Sequence, residues 1–188
     1  VFKTFTVAAG LHEGLIETDT EFLNLEKKIQ CGKFPIREYD KKIPKDLTVE
    51  EILIRSGNIG SVRIGQKLGI EKLKSFLEKI GVLSNMEFDI EEVAPPKKFV
   101  WGKCKLATAA FGHGISTSAL QVVKGYAIIS NGGFVIKPTL IKKKSTFESK
   151  KKILREDVSK KMNSILRKIV STDIGTAGFA NVTGYEVG

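Results

Sequence analysis

The chain has 188 residues, of which 41% are hydrophobic, so it is long enough for one domain with a substantial core. No apolar stretch approaches the ~18 to 20 residues that cross a bilayer. The formal charge of +10 comes mostly from lysine, whereas bidentate contacts with bases are made by arginine, so we expect no nucleic-acid partner.

The lysines are concentrated in part in two runs, at residues 142–144 and 150–152. No aromatic residue lies within either run, and we interpret the runs as a solvated face. Binding to an anionic polymer or to a membrane surface stays open as the alternative.

Cysteine and histidine are too sparse to indicate a metal site. Cys31 and Cys104 are far apart without a C-x-x-C spacing, and His12 and His113 are well separated. We therefore expect no metal and no other cofactor. The two cysteines could pair in an oxidising compartment, and the sequence leaves this open. Because the chain has no initiator Met and no leader, we expect Val1 to lie inside a longer protein.

The first quarter of the chain predicts one helix followed by irregular structure. A helix is expected over residues 1–11, because Phe2, Phe5 and Ala9 are spaced to share one face. Gly, Pro and charged residues are mixed over residues 18–46, which predicts short strands and connections.

Two later helix starts carry capping boxes. Thr48 with Glu51 predicts the start of a short helix, and Ser118 with Gln121 predicts the start of a longer one. In this motif the hydroxyl accepts a hydrogen bond from the third helical amide, and the third side chain reaches back to the cap.

Glycines and an apolar stripe define the other helices. A helix from Ile59 is predicted to stop at Gly69, and the next one to end before Gly81. A later helix is predicted by the apolar stripe that runs from Val158 to Ile169.

Strand-like segments are concentrated late in the chain. Residues 134–136 and 140–141, on either side of Pro138, are predicted as strand pieces, and Tyr185–Gly188 as the opening of a further strand. Together with the helices before them, these segments indicate an α+β class.

Three polar side chains are candidates for acyl transfer. Ser56 and Asn58 flank Gly57 in a turn between helices, which can aim a hydroxyl and an amide into one cleft. Lys3 stands where the Lys of an S-x-x-K motif would stand if the residue before Val1 were serine. A nucleophilic serine needs a base for its proton, and a desolvated lysine can be that base. Taken alone, an ordinary turn and a solvated lysine would explain the same residues.

The segments around these residues resemble the transpeptidase domain of class B penicillin-binding proteins. The resemblance covers essentially the whole chain in the family's order and is closest to the division-specific transpeptidase. It is carried by the segment after the nucleophile, the second motif, the glycine-rich segment and the helix that follows, at residues 3–16, 47–60, 111–116 and 120–138.

Three features depart from the pattern of division transpeptidases. Gly57 stands where they usually carry Ser, and His113 replaces the common aromatic or amide residue. Residues 175–177 read Gly-Thr-Ala but follow no Lys, so they are interpreted as a loop, and the K-T-G motif is expected directly after Gly188.

The resemblance implies the α+β fold shared by penicillin-binding proteins and serine β-lactamases, with residues 1–188 as part of a transpeptidase domain. It implies that Lys3 is the base for acylation and that Ser56 relays a proton to the leaving amine. Asn58 would hold the substrate backbone, with Gly112 and Gly114 also binding substrate. The nucleophile and the third motif would lie outside the chain, so residues 1–188 alone should be inert.

The resemblance also implies the partners and the location. The substrate would be the stem peptide of peptidoglycan, on lipid-linked or nascent glycan, cross-linked during septal wall synthesis, and β-lactams would be covalent inhibitors. Membrane proteins of the division machinery, including a glycosyltransferase, would be partners. The expected location is the periplasmic face of the inner membrane.

Other functions stay open from the sequence. A D,D-carboxypeptidase would use water as the acceptor, and a serine β-lactamase or β-lactam sensor would share the fold, although Asn58 counts against the class D type. A non-catalytic, lysine-rich module that binds anionic polymers is the alternative of another class. A Ser before Val1 and a K-T-G after Gly188 would favour the enzyme.

Overall fold

The computed structural model describes residues 1–89, 97, 99–142 and 151–188. Two small antiparallel sheets accompany the helices, which confirms the α+β prediction. The elements in chain order are α1 (Lys3–His12), β1 (Glu21–Phe22), β2 (Lys28–Cys31), β3 (Phe34–Arg37), β4 (Leu47–Thr48), α2 (Val49–Ile54), α3 (Asn58–Lys79), α4 (Lys103–Ala109), α5 (Ala119–Ser130), α6 (Glu156–Ser171) and a 3₁₀ turn (Gly178–Ala180).

Helix α1 is the centre of the molecule. It packs mainly against α3 and α6, and every residue from Thr4 to Leu11 is buried. The predicted helix is confirmed, but its burial is not confined to the face of Phe5 and Ala9, because the sequence is apolar or small on all sides. The buried Thr6 hydroxyl donates to the Ala110 carbonyl at 2.7 Å, which satisfies its hydrogen-bonding group.

The sheets lie in the region predicted to hold short strands. β1 pairs with β4 through Glu21 opposite Thr48, and β2 with β3 as a hairpin in which Lys28 faces Arg37. Cys31, the last residue of β2, forms a disulfide with Cys104 of α4, with their Cα atoms 5.3 Å apart. The sequence left this pairing open, and it did not predict α4.

The helix boundaries follow the local signals. Both capping boxes form, so Thr48 starts α2 and Ser118 starts α5 as predicted. The structure assigns α3 as one element, but Gly69 has a φ of 76° inside it, so the chain kinks at the predicted boundary. Val158 and Met162 on α6 are fully buried, as the stripe predicts.

Two predicted strand segments, 134–136 and 140–141, are wrong. Within the described residues, the first forms an isolated bridge between Phe134 and Lys152. Pro138 has no N–H with which to extend a ladder. In the second segment, the first backbone N–H donates to the Asp89 carboxylate at 2.7 Å instead of to a strand.

Tyr185–Gly188 is not a strand in the structure either. The Tyr185 N–H donates to the Val182 carbonyl at 3.1 Å within a turn, and Arg167 Nη1 donates to the Val187 carbonyl at 2.7 Å. The segment therefore lies against α6.

Three residues of the lysine-rich runs, at positions 143, 144 and 150, lie outside the described residues. Within the described residues, no helix combines the length and the apolar character needed to cross a membrane.

Candidate active site

Lys3 reaches the turn between α2 and α3. It is the first residue of α1, so its backbone is fixed by the most buried helix while its side chain is only half-buried. Its Nζ donates to the Ser56 carbonyl at 2.6 Å and to Ser56 Oγ at 2.7 Å. The second distance lies inside the range of about 2.6 to 3.2 Å required between a base and its partner.

The turn holds Ser56 in an uncommon backbone conformation. Its φ is +55°, in the left-handed region, which costs roughly 1–2 kcal/mol for a residue with a Cβ. The Ser56 N–H donates to the Leu53 carbonyl at 3.0 Å and the Gly57 N–H to the Ile52 carbonyl at 2.8 Å. These bonds close the end of α2, and with the Lys3 contact they hold the strained residue in place.

Asn58 is the first residue of α3 and is held from β3. Its side-chain Nδ2 donates to the Arg37 carbonyl at 2.8 Å. Within the described residues no protein group donates to its Oδ1, which is therefore available to accept from a ligand N–H.

Glu38 makes a contact that the sequence analysis did not anticipate. Its Oε2 accepts from the Asn58 N–H at 2.6 Å, and its Oε1 accepts from the Ile59 N–H at 2.8 Å. The carboxylate thus caps α3 from a distance of 20 residues along the chain. No local pattern signals such a cap, since capping motifs are defined over three or four neighbouring residues.

The surroundings of Lys3 favour its neutral form. Burial lowers the pKa of the Lys3 ammonium, and the negative charge of Glu38 raises it in part, with a net shift below the ordinary lysine value. Because a lysine accepts a proton only when neutral, this shift increases the fraction of Lys3 that can act as a base near neutral pH.

A cleft of about 760 Å³ opens at these side chains. Lys3, Ser56 and Asn58 all line it, so the structure brings the three predicted residues to one cavity. The remaining lining residues come from the β3–β4 connection, the end of α2 and the loop after α6, and they are Tyr39, Asp40, Lys42, Arg55, Asp173, Ile174, Gly175 and Thr176.

The two glycines predicted to bind substrate are not among the lining residues of this cleft. Gly112 and Gly114 both have a positive φ, and Gly112 approaches Phe2 so closely that an added Cβ would lie 2.4 Å from the Phe2 Cβ. Their role in substrate binding stays a prediction. The segment Tyr185–Gly188 is not among the lining residues either.

The complete chain, residues 1–188, matches the family model described as the penicillin-binding protein transpeptidase domain. The chain belongs to this family. Among curated relatives it is 28% identical to the probable peptidoglycan D,D-transpeptidase FtsI of Caulobacter vibrioides, over 100% of this chain and 32% of that protein. It is 26% identical to the probable peptidoglycan D,D-transpeptidase PenA of Neisseria flavescens, over 99% of this chain and 46% of that protein.

A further relative is stage V sporulation protein D of Bacillus subtilis, with 27% identity over 100% of this chain and 31% of that protein. The chain thus spans between about a third and a half of the length of these relatives.

Solved structures agree on the fold. The transpeptidase domain of penicillin-binding protein 3 from Burkholderia pseudomallei superposes with a TM-score of 0.89 at 22% identity, over 98% of this chain and 56% of that chain. A peptidoglycan glycosyltransferase from Burkholderia ambifaria has the same TM-score and identity, over 99% of this chain and 59% of that chain. The fold of the penicillin-binding transpeptidases is therefore that of this chain.

Proposed function

We propose that this chain is part of a serine-type peptidoglycan D,D-transpeptidase that cross-links stem peptides during septal wall synthesis. The observation that carries the proposal is the 2.7 Å hydrogen bond between Lys3 Nζ and Ser56 Oγ, in a chain that matches the transpeptidase family from end to end. The pairing joins residues 53 positions apart, which a merely solvated lysine would not require.

In the proposed reaction, a serine directly before Val1 in the longer protein attacks the carbonyl of the penultimate D-alanine. Lys3, in its neutral form, takes the hydroxyl proton, and Ser56 passes a proton to the amine of the terminal D-alanine as the peptide bond breaks. The resulting acyl-enzyme is attacked by an amine of a neighbouring stem, which restores the serine. Asn58 Oδ1 accepts from a backbone N–H of the substrate.

The oxyanion donors and the K-T-G segment are proposed to come from the longer protein, so residues 1–188 alone would not be acylated. The proposed partners are stem peptides, β-lactams as covalent inhibitors, and division membrane proteins including a glycosyltransferase. We place the protein on the periplasmic face of the inner membrane. The Cys31–Cys104 disulfide supports this location, because disulfides persist in oxidising compartments.

The test is covalent labelling by a fluorescent penicillin, followed by mapping of the modified peptide by mass spectrometry. The longer protein should be labelled stoichiometrically on the serine before Val1, and residues 1–188 alone should not be labelled. An unlabelled longer protein would overturn the proposal. Label on a residue within 1–188 would show that the nucleophile has been misassigned.

A second measurement separates cross-linking from hydrolysis. The longer protein is incubated with a D-Ala-D-Ala stem peptide, with and without an acceptor amine. A transpeptidase should release D-alanine and form the amide-linked dimer, whereas a carboxypeptidase would release D-alanine without dimer at any acceptor concentration.

A further inference from the structure

We propose that Glu38 is a positioning residue for this reaction, holding Ser56 and Asn58 against Lys3 by fixing the first turn of α3. This inference rests on the proposed function of the site. Glu38 is not expected to touch the reacting atoms, and it acts through the residues that do.

The start of α3 has no side-chain cap of its own. Its N-cap residue is Gly57, which has no side chain to accept a hydrogen bond. The first amides of a helix need acceptors from elsewhere. Glu38 supplies both of its carboxylate oxygens, one to the Asn58 amide at 2.6 Å and one to the Ile59 amide at 2.8 Å. A carboxylate at this position also interacts favourably with the positive end of the helix dipole.

Glu38 is itself attached to an anchored element. It directly follows β3, which pairs with β2 over four residue pairs, and β2 is joined to α4 by the Cys31–Cys104 disulfide. The neighbouring Arg37 carbonyl accepts from the Asn58 side chain at 2.8 Å. The end of this hairpin therefore fixes both the backbone and the side chain of Asn58.

The Glu38 charge also acts on Lys3. Burial lowers the pKa of the Lys3 ammonium, and the negative charge of Glu38 raises it. The other charged or titratable groups that line the cleft are Tyr39, Asp40, Lys42, Arg55 and Asp173. Removing the Glu38 charge should lower the pKa of Lys3 further, because the charged form loses its favourable neighbour.

The test is the acylation rate of the longer protein by a fluorescent penicillin, measured as a function of pH. In Glu38→Gln the maximal rate should fall by up to about 10²-fold, since catalytic groups displaced by about 1 Å lose this much. The acid limb of the profile should also move to lower pH, because Lys3 then loses its proton more readily.

Two further variants act as controls. Glu51→Gln also neutralises a carboxylate that accepts a hydrogen bond from a backbone N–H at a helix start, in this case the start of α2. It should leave the acid limb at its wild-type pH. Glu38→Asp keeps the charge and both acceptor oxygens, and it should return the acid limb toward the wild-type pH.

Each outcome decides the proposal. A Glu38→Gln protein with the wild-type rate, or with a reduced rate and an unmoved acid limb, overturns it. If Glu38→Gln does not fold, Glu38→Gln with Gly57→Ser replaces it, because a serine at the N-cap restores a neutral local cap. Among the described residues, the nearest neighbour of an added Cβ at Gly57 would be the Ile52 carbonyl oxygen, at 3.6 Å. An unmoved acid limb in that double variant overturns the proposal as well. Absence of labelling in the wild-type protein would instead remove the proposed function.

Discussion

The starts of α2 and α3 follow each other in the chain but are held in different ways. At α2, the Thr48 hydroxyl and the Glu51 carboxylate cap the helix within four residues. At α3, the cap is Glu38, and the turn before it is held by Lys3, so the contacts span 20 and 53 residues. The first start is built from local sequence, whereas the second forms only when distant elements have packed.

We expect the two kinds of contact to affect different properties, namely folding stability and the geometry of the site. A local cap contributes to the helix that carries it, and its removal should cost stability without changing how Ser56 meets Lys3. A long-range contact at the turn that carries Ser56 joins α1, the end of the β2–β3 hairpin and α3, so its removal should change the geometry of the site. Variants of the two kinds therefore test whether the distinction is real.

The largest effect is expected at Lys3. In the longer protein, Lys3→Arg retains positive charge but holds its proton too tightly to act as a base, and it should lower the acylation rate by about 10²- to 10⁴-fold. The measurement is the rate of labelling by a fluorescent penicillin. In the wild-type protein the rate should fall with decreasing pH only below the lowered pKa of Lys3, since the neutral amine is the active form.

The matched control is Lys160→Arg, because Lys160 is an exposed lysine on α6 that pairs with Glu156 at 3.1 Å. It should be labelled at the wild-type rate. Equal acylation rates for Lys3→Arg and wild type would exclude Lys3 as the base. The long-range contact of Lys3 with the turn before α3 would then have no role in the chemistry.

The next largest effect is expected from the disulfide. Replacing Cys31 and Cys104 together by Ser should lower the free energy of unfolding by roughly 2–4 kcal/mol, because the bridge joins residues 73 positions apart and so restricts the unfolded chain. Urea unfolding of the oxidised wild type and of the double variant gives this difference. The reduced wild-type protein should unfold at the same urea concentration as the double variant. If both unfolded at the midpoint of the oxidised wild type, the result would contradict the pairing.

A smaller effect is expected at the local cap of α2. Thr48→Ala removes the hydroxyl that accepts from the Glu51 N–H, and it should lower the free energy of unfolding by about 1 kcal/mol. Ser118→Ala in the equivalent box of α5 should have a similar cost. In Thr48→Ala the acid limb of acylation should stay at its wild-type pH, and a shifted limb would show that the local cap also sets the chemistry.

The same contrast explains what the sequence could predict. Thr48–Glu51 and Ser118–Gln121 are complete signals within four residues, and both helices begin where they indicate. The segment 134–136 has strand-forming residues, but within the described residues it forms an isolated bridge with Lys152 and no longer ladder, which composition cannot reveal.

At the site, the residue types and the family resemblance indicated Lys3, Ser56 and Asn58. Glu38 had no local signal, because its partners are 20 and 21 residues away. The Cys31–Cys104 pairing was likewise left open, since it depends on how the β2–β3 hairpin meets α4.

The smallest effect is expected at Gly57, the residue that leaves the start of α3 without a local cap. Its φ of −63° and ψ of 127° suit any residue, and an added Cβ would lie in ordinary contact, 3.6 Å from the Ile52 carbonyl. Gly57→Ala should therefore raise the free energy of unfolding by about 0.4–1 kcal/mol, by reducing the entropy of the unfolded chain. The control is Gly60→Ala, one turn later, where the Cβ would lie 2.5 Å from an Ile52 side-chain carbon, and this variant should be destabilised. If the turn is packed as described, urea unfolding should give changes of opposite sign in the free energy of unfolding for the two variants. A destabilised Gly57→Ala protein would show that the turn requires glycine. The need of the α3 start for Glu38 would then not be explained simply by the absence of a side chain at the N-cap.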